Sequence, residues 1–162
     1  MLDTKHIILL VEDSDIIREI TKAALEEAGF HVRTAIGSDD LEKKIKGFGG
    51  FLDGLDLMVL DMELEENLSR SRNDRGGSHV GSQMTGSQIG ATLGLSHPQL
   101  QDVPFLIYSG KDPNEIRAYL DELEQFAELD EHIKNNYRGF VQKGEGSEPE
   151  LIRNIRKALT PR

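Results

Sequence analysis

The sequence predicts an α/β fold built on a parallel sheet, and three observations carry that reading. Short unbroken apolar runs recur along the chain: HIILLV from His6 to Val11, LMVL from Leu57 to Leu60, and FLIY from Phe105 to Tyr108. Runs of this length, closed by polar residues, read as strands buried on both faces. Between them lie segments with apolar residues at helical spacing, opened by capping residues. The two kinds alternate, as βα units of a parallel sheet do.

The first strand runs from His6 to Val11 and ends in Glu12-Asp13. From Asp15, a capping residue, Ile16, Ile17, Ile20, Ala24 and Ala28 fall at helical spacing, and Gly29 is placed to close the helix. Phe30 to Ala35 alternates apolar and polar residues, which suits a second strand nearer an edge. Ser38 caps a short helix through Leu41 and Ile45, and glycines at 47, 49, 50 and 54 then break the chain before the strand at Leu57. Beyond Asp61 the interval to Ser109 exceeds the roughly 30 residues that one crossover takes. Its first part, residues 65–88, carries four glycines, five serines and only three clearly apolar residues, so it reads as a flexible insertion. Gln88 to Leu95 is the candidate crossover helix, with a possible start near Thr85.

Phe105 to Tyr108 is the fourth strand. Asp112, Pro113 and Glu115 form a strong helix start, as cap, N1 proline and closing acid of a capping box. That helix continues through Ile116, Leu120, Leu123 and Ala127, and Asp130 caps a further turn to about Asn135. Gly139 to Gln142 is the fifth strand, followed by Lys143. Ser147 and Glu150 make another capping box before Leu151, Ile152, Ile155 and Leu159. Residues 1–162 therefore read as five βα units in a single domain.

Composition narrows the function. The chain of 162 residues has no cysteine, which excludes disulfides, thiolate metal sites and cysteine nucleophiles and fits a reducing compartment. No apolar run approaches the roughly 20 residues needed to span a bilayer, and Met1 to Lys5 lacks the plan of a signal peptide, so a cytoplasmic location is expected. A formal charge of −10 argues against direct binding to nucleic acid or to anionic membranes. The five histidines, at 6, 31, 79, 97 and 132, show no ligand spacing and are expected at scattered surface or strand positions.

The chemistry lies at the strand ends: Glu12 and Asp13 after the first strand, Asp61 after the third, Ser109 after the fourth and Lys143 after the fifth. Right-handed crossovers bring all of these to one edge of the sheet, where open α/β proteins place their working groups. Three carboxylates gathered there need a cation, and hard oxygen donors with room for a phosphate suit Mg²⁺. A carboxylate beside that metal can attack phosphorus and form an aspartyl phosphate. Ser109 can donate to one phosphoryl oxygen, and Lys143 can neutralise another.

These residues resemble the receiver domain of two-component response regulators, stand-alone and spanning the chain apart from the long loop: Glu12-Asp13, the apolar run into Asp61, Ser109-Gly110 after FLIY, and Phe140-Val141-Gln142-Lys143. The resemblance implies a flavodoxin-like (βα)5 three-layer sandwich with sheet order 2-1-3-4-5. It implies phosphorylation of Asp61 by a histidine kinase or histidine phosphotransfer protein, within a phosphorelay. It further implies Mg²⁺ held by Asp13, Asp61 and the backbone carbonyl of Glu63, with Glu12 in support. A switch follows from it, in which Ser109 moves toward the phosphoryl group and Phe140 turns inward. The output surface to a downstream protein would then be the helix after strand four, strand five and the final helix.

The chain departs from that family in three places. Gly144 stands where a proline usually follows the lysine, so the turn is expected to be built differently, since a cis bond without proline costs about 3 kcal/mol or more. Proline is also missing soon after Asp61, and the span from Ser109 to Lys143 is long for the family. Two other functions compete with the phosphorylatable switch. One is a receiver-like interaction module that works without phosphate. The other is an aspartate-nucleophile phosphohydrolase of the haloacid dehalogenase type, disfavoured because its Asp-x-Asp motif lies on the first strand, whereas Asp61-Met62-Glu63 follows the third.

Overall fold

The computed structural model describes residues 5–61, 97–123 and 127–160. Strands β1 (Ile7–Val11), β2 (His31–Ala35), β3 (Leu55–Leu60), β4 (Phe105–Ser109) and β5 (Tyr137–Gln142) form one sheet in the order β2-β1-β3-β4-β5. Every neighbouring pair is parallel. Around it lie α1 (Asp15–Glu27), α2 (Ser38–Gly47), α3 (Pro113–Leu123), α4 (Ala127–Asn136) and α5 (Glu148–Leu159), with a 3₁₀ turn at Pro98–Leu100 that the sequence does not announce. This is the flavodoxin-like arrangement, with sheet order 2-1-3-4-5, that the family resemblance implied.

The two-residue period of the strands sorts the core into two layers. Leu9, Val11, Met58, Leu60, Phe105 and Ile107 pack on one face with Leu41 of α2, Ile116 of α3 and Ile133 of α4. Ile8, Leu10, Leu57, Val59, Leu106, Tyr108 and Val141 pack on the other with Leu25 of α1 and Leu151 and Ile155 of α5. Burial on both faces is why β1, β3 and β4 show no alternation in sequence, and each such side chain contributes about 1.5–3 kcal/mol by leaving water.

Several boundaries differ from the sequence reading, each for a local reason. The strand expected from Leu57 begins at Leu55; Asp56 interrupts the apolar run because its carboxylate accepts the Ile7 N–H at 2.8 Å. The strand expected from Gly139 begins at Tyr137, and Gly139, at φ +126°, lies inside a bulge where the β4 register shifts. Ser14, not Asp15, caps α1, its hydroxyl accepting the Ile17 N–H at 3.3 Å. Gly29, at φ +103°, follows that helix as expected. The helical turn expected from Asp130 is a ten-residue helix, α4, beginning at Ala127. His132 on α4 is buried and stacks on Phe105, against the expected surface or strand position. Glu63, the insertion at 65–88 and the helix expected from Gln88 lie outside the described residues.

Candidate functional site

The parallel ladder carries on for one residue beyond three strands and so fixes the backbone of the site. Glu12 N–H donates to Ala35 at 3.0 Å, Asp61 N–H to Val11 at 3.1 Å, and Lys143 N–H to Ser109 at 2.7 Å. Glu12 and Asp61 thereby stand side by side at the carboxyl end of β1 and β3, and Lys143 stands beside Ser109. The two-residue period then decides direction. Lys143, two positions after Val141, leans to the α1/α5 face, where its ammonium lies 5.4 Å from the centre of the Tyr108 ring.

From there Lys143 Nζ reaches Glu12 Oε1 at 2.5 Å and Asp61 Oδ2 at 3.4 Å. Carboxylate oxygens of Glu12, Asp13 and Asp61 lie within 4.8 Å of one another. Glu12 and Asp61 are almost wholly buried, at 1% and 3% exposure, while Asp13 is half-buried. Burial, then the adjoining Asp61 carboxylate, pushes the Glu12 carboxyl up to about 8, against the opposing pull of Lys143. Burial also works to lower the Lys143 ammonium, but Asp61 and Glu12 outweigh it and its pKa rises. Two carboxyls thus face one ammonium, and burial together with Asp61 opposes the charge on Glu12.

Further contacts pin this pair in place. Glu12 Oε2 accepts the Ser14 N–H at 3.3 Å, and the Glu12 carbonyl accepts from Arg18 Nη1 at 2.9 Å. Arg18 in turn pairs with Asp15 on the same helix. Ser109 is fully buried at the end of β4, and its hydroxyl accepts the Lys111 N–H at 3.2 Å. Phe140 is half-buried on β5, opposite Ile107, and packs on the α2/α3/α4 face of the core. A cavity of about 380 Å³ opens beside the site, lined by Ile17, Ile20, Tyr108, Gly110, Lys143 and Glu148 among others.

The arrangement fits a divalent cation: three carboxylates converge, two of them at buried positions, where unscreened charge is costly unless paired. Of the expected site residues, Glu12, Asp13, Asp61 and Lys143 converge, Ser109 ends the neighbouring strand β4, Phe140 lies inside β5 two residues short of its end, and Glu63 lies outside the described residues. Sequence reading missed Tyr108 and Ser147, whose side chains meet behind Lys143 at 2.5 Å. The available signal was the phenol of Tyr108 at the end of an otherwise apolar buried strand, because a buried hydroxyl needs a partner.

Scans against protein-family models and curated sequences find no match. Solved structures do match over nearly the whole chain. The Vibrio cholerae chemotaxis protein CheY4 aligns at 17% identity and a TM-score of 0.61, over 96% of this chain and 99% of that one. A CheY-like response regulator receiver domain protein from Methanospirillum hungatei aligns at 16% identity and 0.60, over 96% and 94%. A response regulator receiver domain protein from Clostridium thermocellum aligns at 18% and 0.61, over 95% and 94%. The chain has the fold of the response-regulator receiver domains.

Proposed function

We propose that this chain is a phosphorylatable receiver, accepting a phosphoryl group on Asp61 from a histidine kinase or histidine phosphotransfer protein and signalling through protein contacts. One observation carries the reading: Asp61 sits at the carboxyl edge of the sheet between an acidic pair and the Lys143 ammonium, 3.4 Å away. In the transfer, an Asp61 carboxylate oxygen attacks phosphorus. The bond from phosphorus to the donor breaks, and the donor leaves with its electron pair.

Glu12, Asp13 and Asp61 would hold Mg²⁺, with the backbone carbonyl of Glu63 as a proposed further donor. When bound, the ion neutralises charge on the phosphoryl oxygens and on the acids that hold it. Lys143 is placed to act as a point charge toward another phosphoryl oxygen once its pairing with Glu12 loosens. Ser109 would exchange the Lys111 N–H for a hydrogen bond to the phosphoryl group, and Phe140 would turn inward with it. The formal charge of −10 favours protein partners over nucleic acid or membrane, and no helix among the described residues is long and apolar enough to cross a bilayer. A cytoplasmic signalling domain whose only chemistry is its own phosphorylation and dephosphorylation is the consistent reading.

The test is treatment with acetyl phosphate or beryllofluoride in the presence of Mg²⁺, with mass spectrometry to place the modification. Modification at Asp61, abolished by Asp61→Asn, is the expected result. Unchanged spectra with and without donor would overturn the proposal in favour of a phosphate-independent module. Rapid turnover of added phosphate esters would favour a phosphohydrolase.

A further inference from the structure

The turn that carries Lys143 has no proline after the lysine, and every described peptide bond is trans. Something else must hold it. Ser147 looks from sequence like the cap of the last helix, yet its hydroxyl makes no cap bond to α5. It is turned back into the protein, accepting the Gly144 N–H at 3.1 Å and meeting the Tyr108 hydroxyl at 2.5 Å. The Ser147 N–H returns a second bond to the Gly144 carbonyl at 3.2 Å, which closes the turn on itself. Tyr108 and Ser147 are buried, at 3% and 8% exposure, and the Tyr108 ring is the surface over which the Lys143 ammonium lies.

We propose that Ser147 and Tyr108 are positioning residues for Lys143, a hydrogen-bonded brace that fixes the trans turn at Gly144 and aims the ammonium at Asp61. The hydroxyl gives up a helix cap for one bond within the turn, from the residue that follows the lysine, and one tertiary bond to the phenol whose ring lies under the ammonium. The phenol anchors the brace to β4, the strand that Ser109 ends. Lys143 is thus held from both sides: its backbone N–H on the Ser109 carbonyl, and the following residue on Ser147. The functional part of this inference rests on the phosphoryl-acceptor reading, whereas the geometric part does not.

The experiment compares wild type with Ser147→Ala, Tyr108→Phe and Ser147→Thr, which keeps the hydroxyl. In the unphosphorylated, metal-free protein, Gly144 amide exchange is expected to quicken about tenfold in Ser147→Ala, the order set by one lost buried hydrogen bond. Tyr108→Phe should show a smaller change, the Lys143 ammonium resonance should shift in both variants, and Ser147→Thr should restore both signals. Beryllofluoride affinity is expected to fall about tenfold in Ser147→Ala with Mg²⁺ affinity not weakened, since the brace touches the lysine and not the acids. Unchanged Gly144 exchange and Lys143 resonance in both variants would overturn the proposal. Equal weakening of Mg²⁺ and beryllofluoride binding would overturn it too, marking a general loss of packing. If wild type binds no beryllofluoride, the phosphoryl-acceptor reading fails, and the exchange and resonance measurements decide the brace alone.

Discussion

Removing one ammonium from a pocket with two buried carboxyls costs more than the net worth of the ion pairs, because the acids stay behind. Lys143→Met is therefore expected to destabilise the protein in chelator by about 3 kcal/mol, the low end of the range for breaking a buried pair, since burial and Asp61 already oppose the charge on Glu12. Added Mg²⁺ should stabilise this variant more than wild type, because the ion then replaces the missing positive charge. Urea unfolding with and without Mg²⁺ measures both effects. A loss below about 1 kcal/mol in chelator would mean that the pairs to Glu12 and Asp61 resemble exposed ones in strength. The 2.5 Å contact from Lys143 to Glu12 joins residues at opposite ends of the chain, so no local pattern could have announced it. What sequence did reveal was that both residues directly follow strands.

At the level of elements, caps and edges set the stability that the site depends on. Ser14 holds the start of α1 directly after Glu12 and Asp13, so Ser14→Ala should cost about 1 kcal/mol in urea unfolding. Gly29→Ala should cost a similar amount, about 1 kcal/mol, since its φ of +103° suits glycine alone, although a methyl there would meet no neighbour. On β5, burial pushes the Tyr137 phenol up to about 12, and its ring lies 5.6 Å from that of Phe105. An unfolded tyrosine titrates near 10, so between about 10 and 12 the folded state holds the extra proton. Stability from this group is full below about 10 and is lost as pH rises through about 12, and Tyr137→Phe should flatten that decline in thermal melts. The interior strands were legible because burial on both faces writes a run of apolar residues. Exact starts were not, because Asp56 and Gly139 serve single backbone positions where the register shifts. Ser147 misled for a third reason: a serine before a helix is a cap by local rules, but its hydroxyl is drawn back to the Gly144 N–H and to the distant Tyr108 phenol.

For the molecule as a whole, the −10 formal charge opposes compactness, and salt of any kind relieves part of that repulsion by screening. Mg²⁺ bound at the proposed site would therefore stabilise this chain in two ways, which must be separated. Screening acts on the whole surface and saturates with ionic strength, whereas a site built from Glu12, Asp13 and Asp61 saturates with the ion's own concentration. At matched ionic strength, Mg²⁺ is expected to raise the melting temperature of wild type above the value in NaCl. At concentrations about 100-fold over the dissociation constant the excess corresponds to about 2.7 kcal/mol. Asp61→Asn should lose most of that excess while keeping the screening response, because it removes one ligand from the cluster and only one charge from the chain's total. Equal melting temperatures for wild type in the two salts would show that the acidic edge is only a repulsive patch. In that case the fold would stand, and the case for phosphoryl transfer at Asp61 would lose its metal.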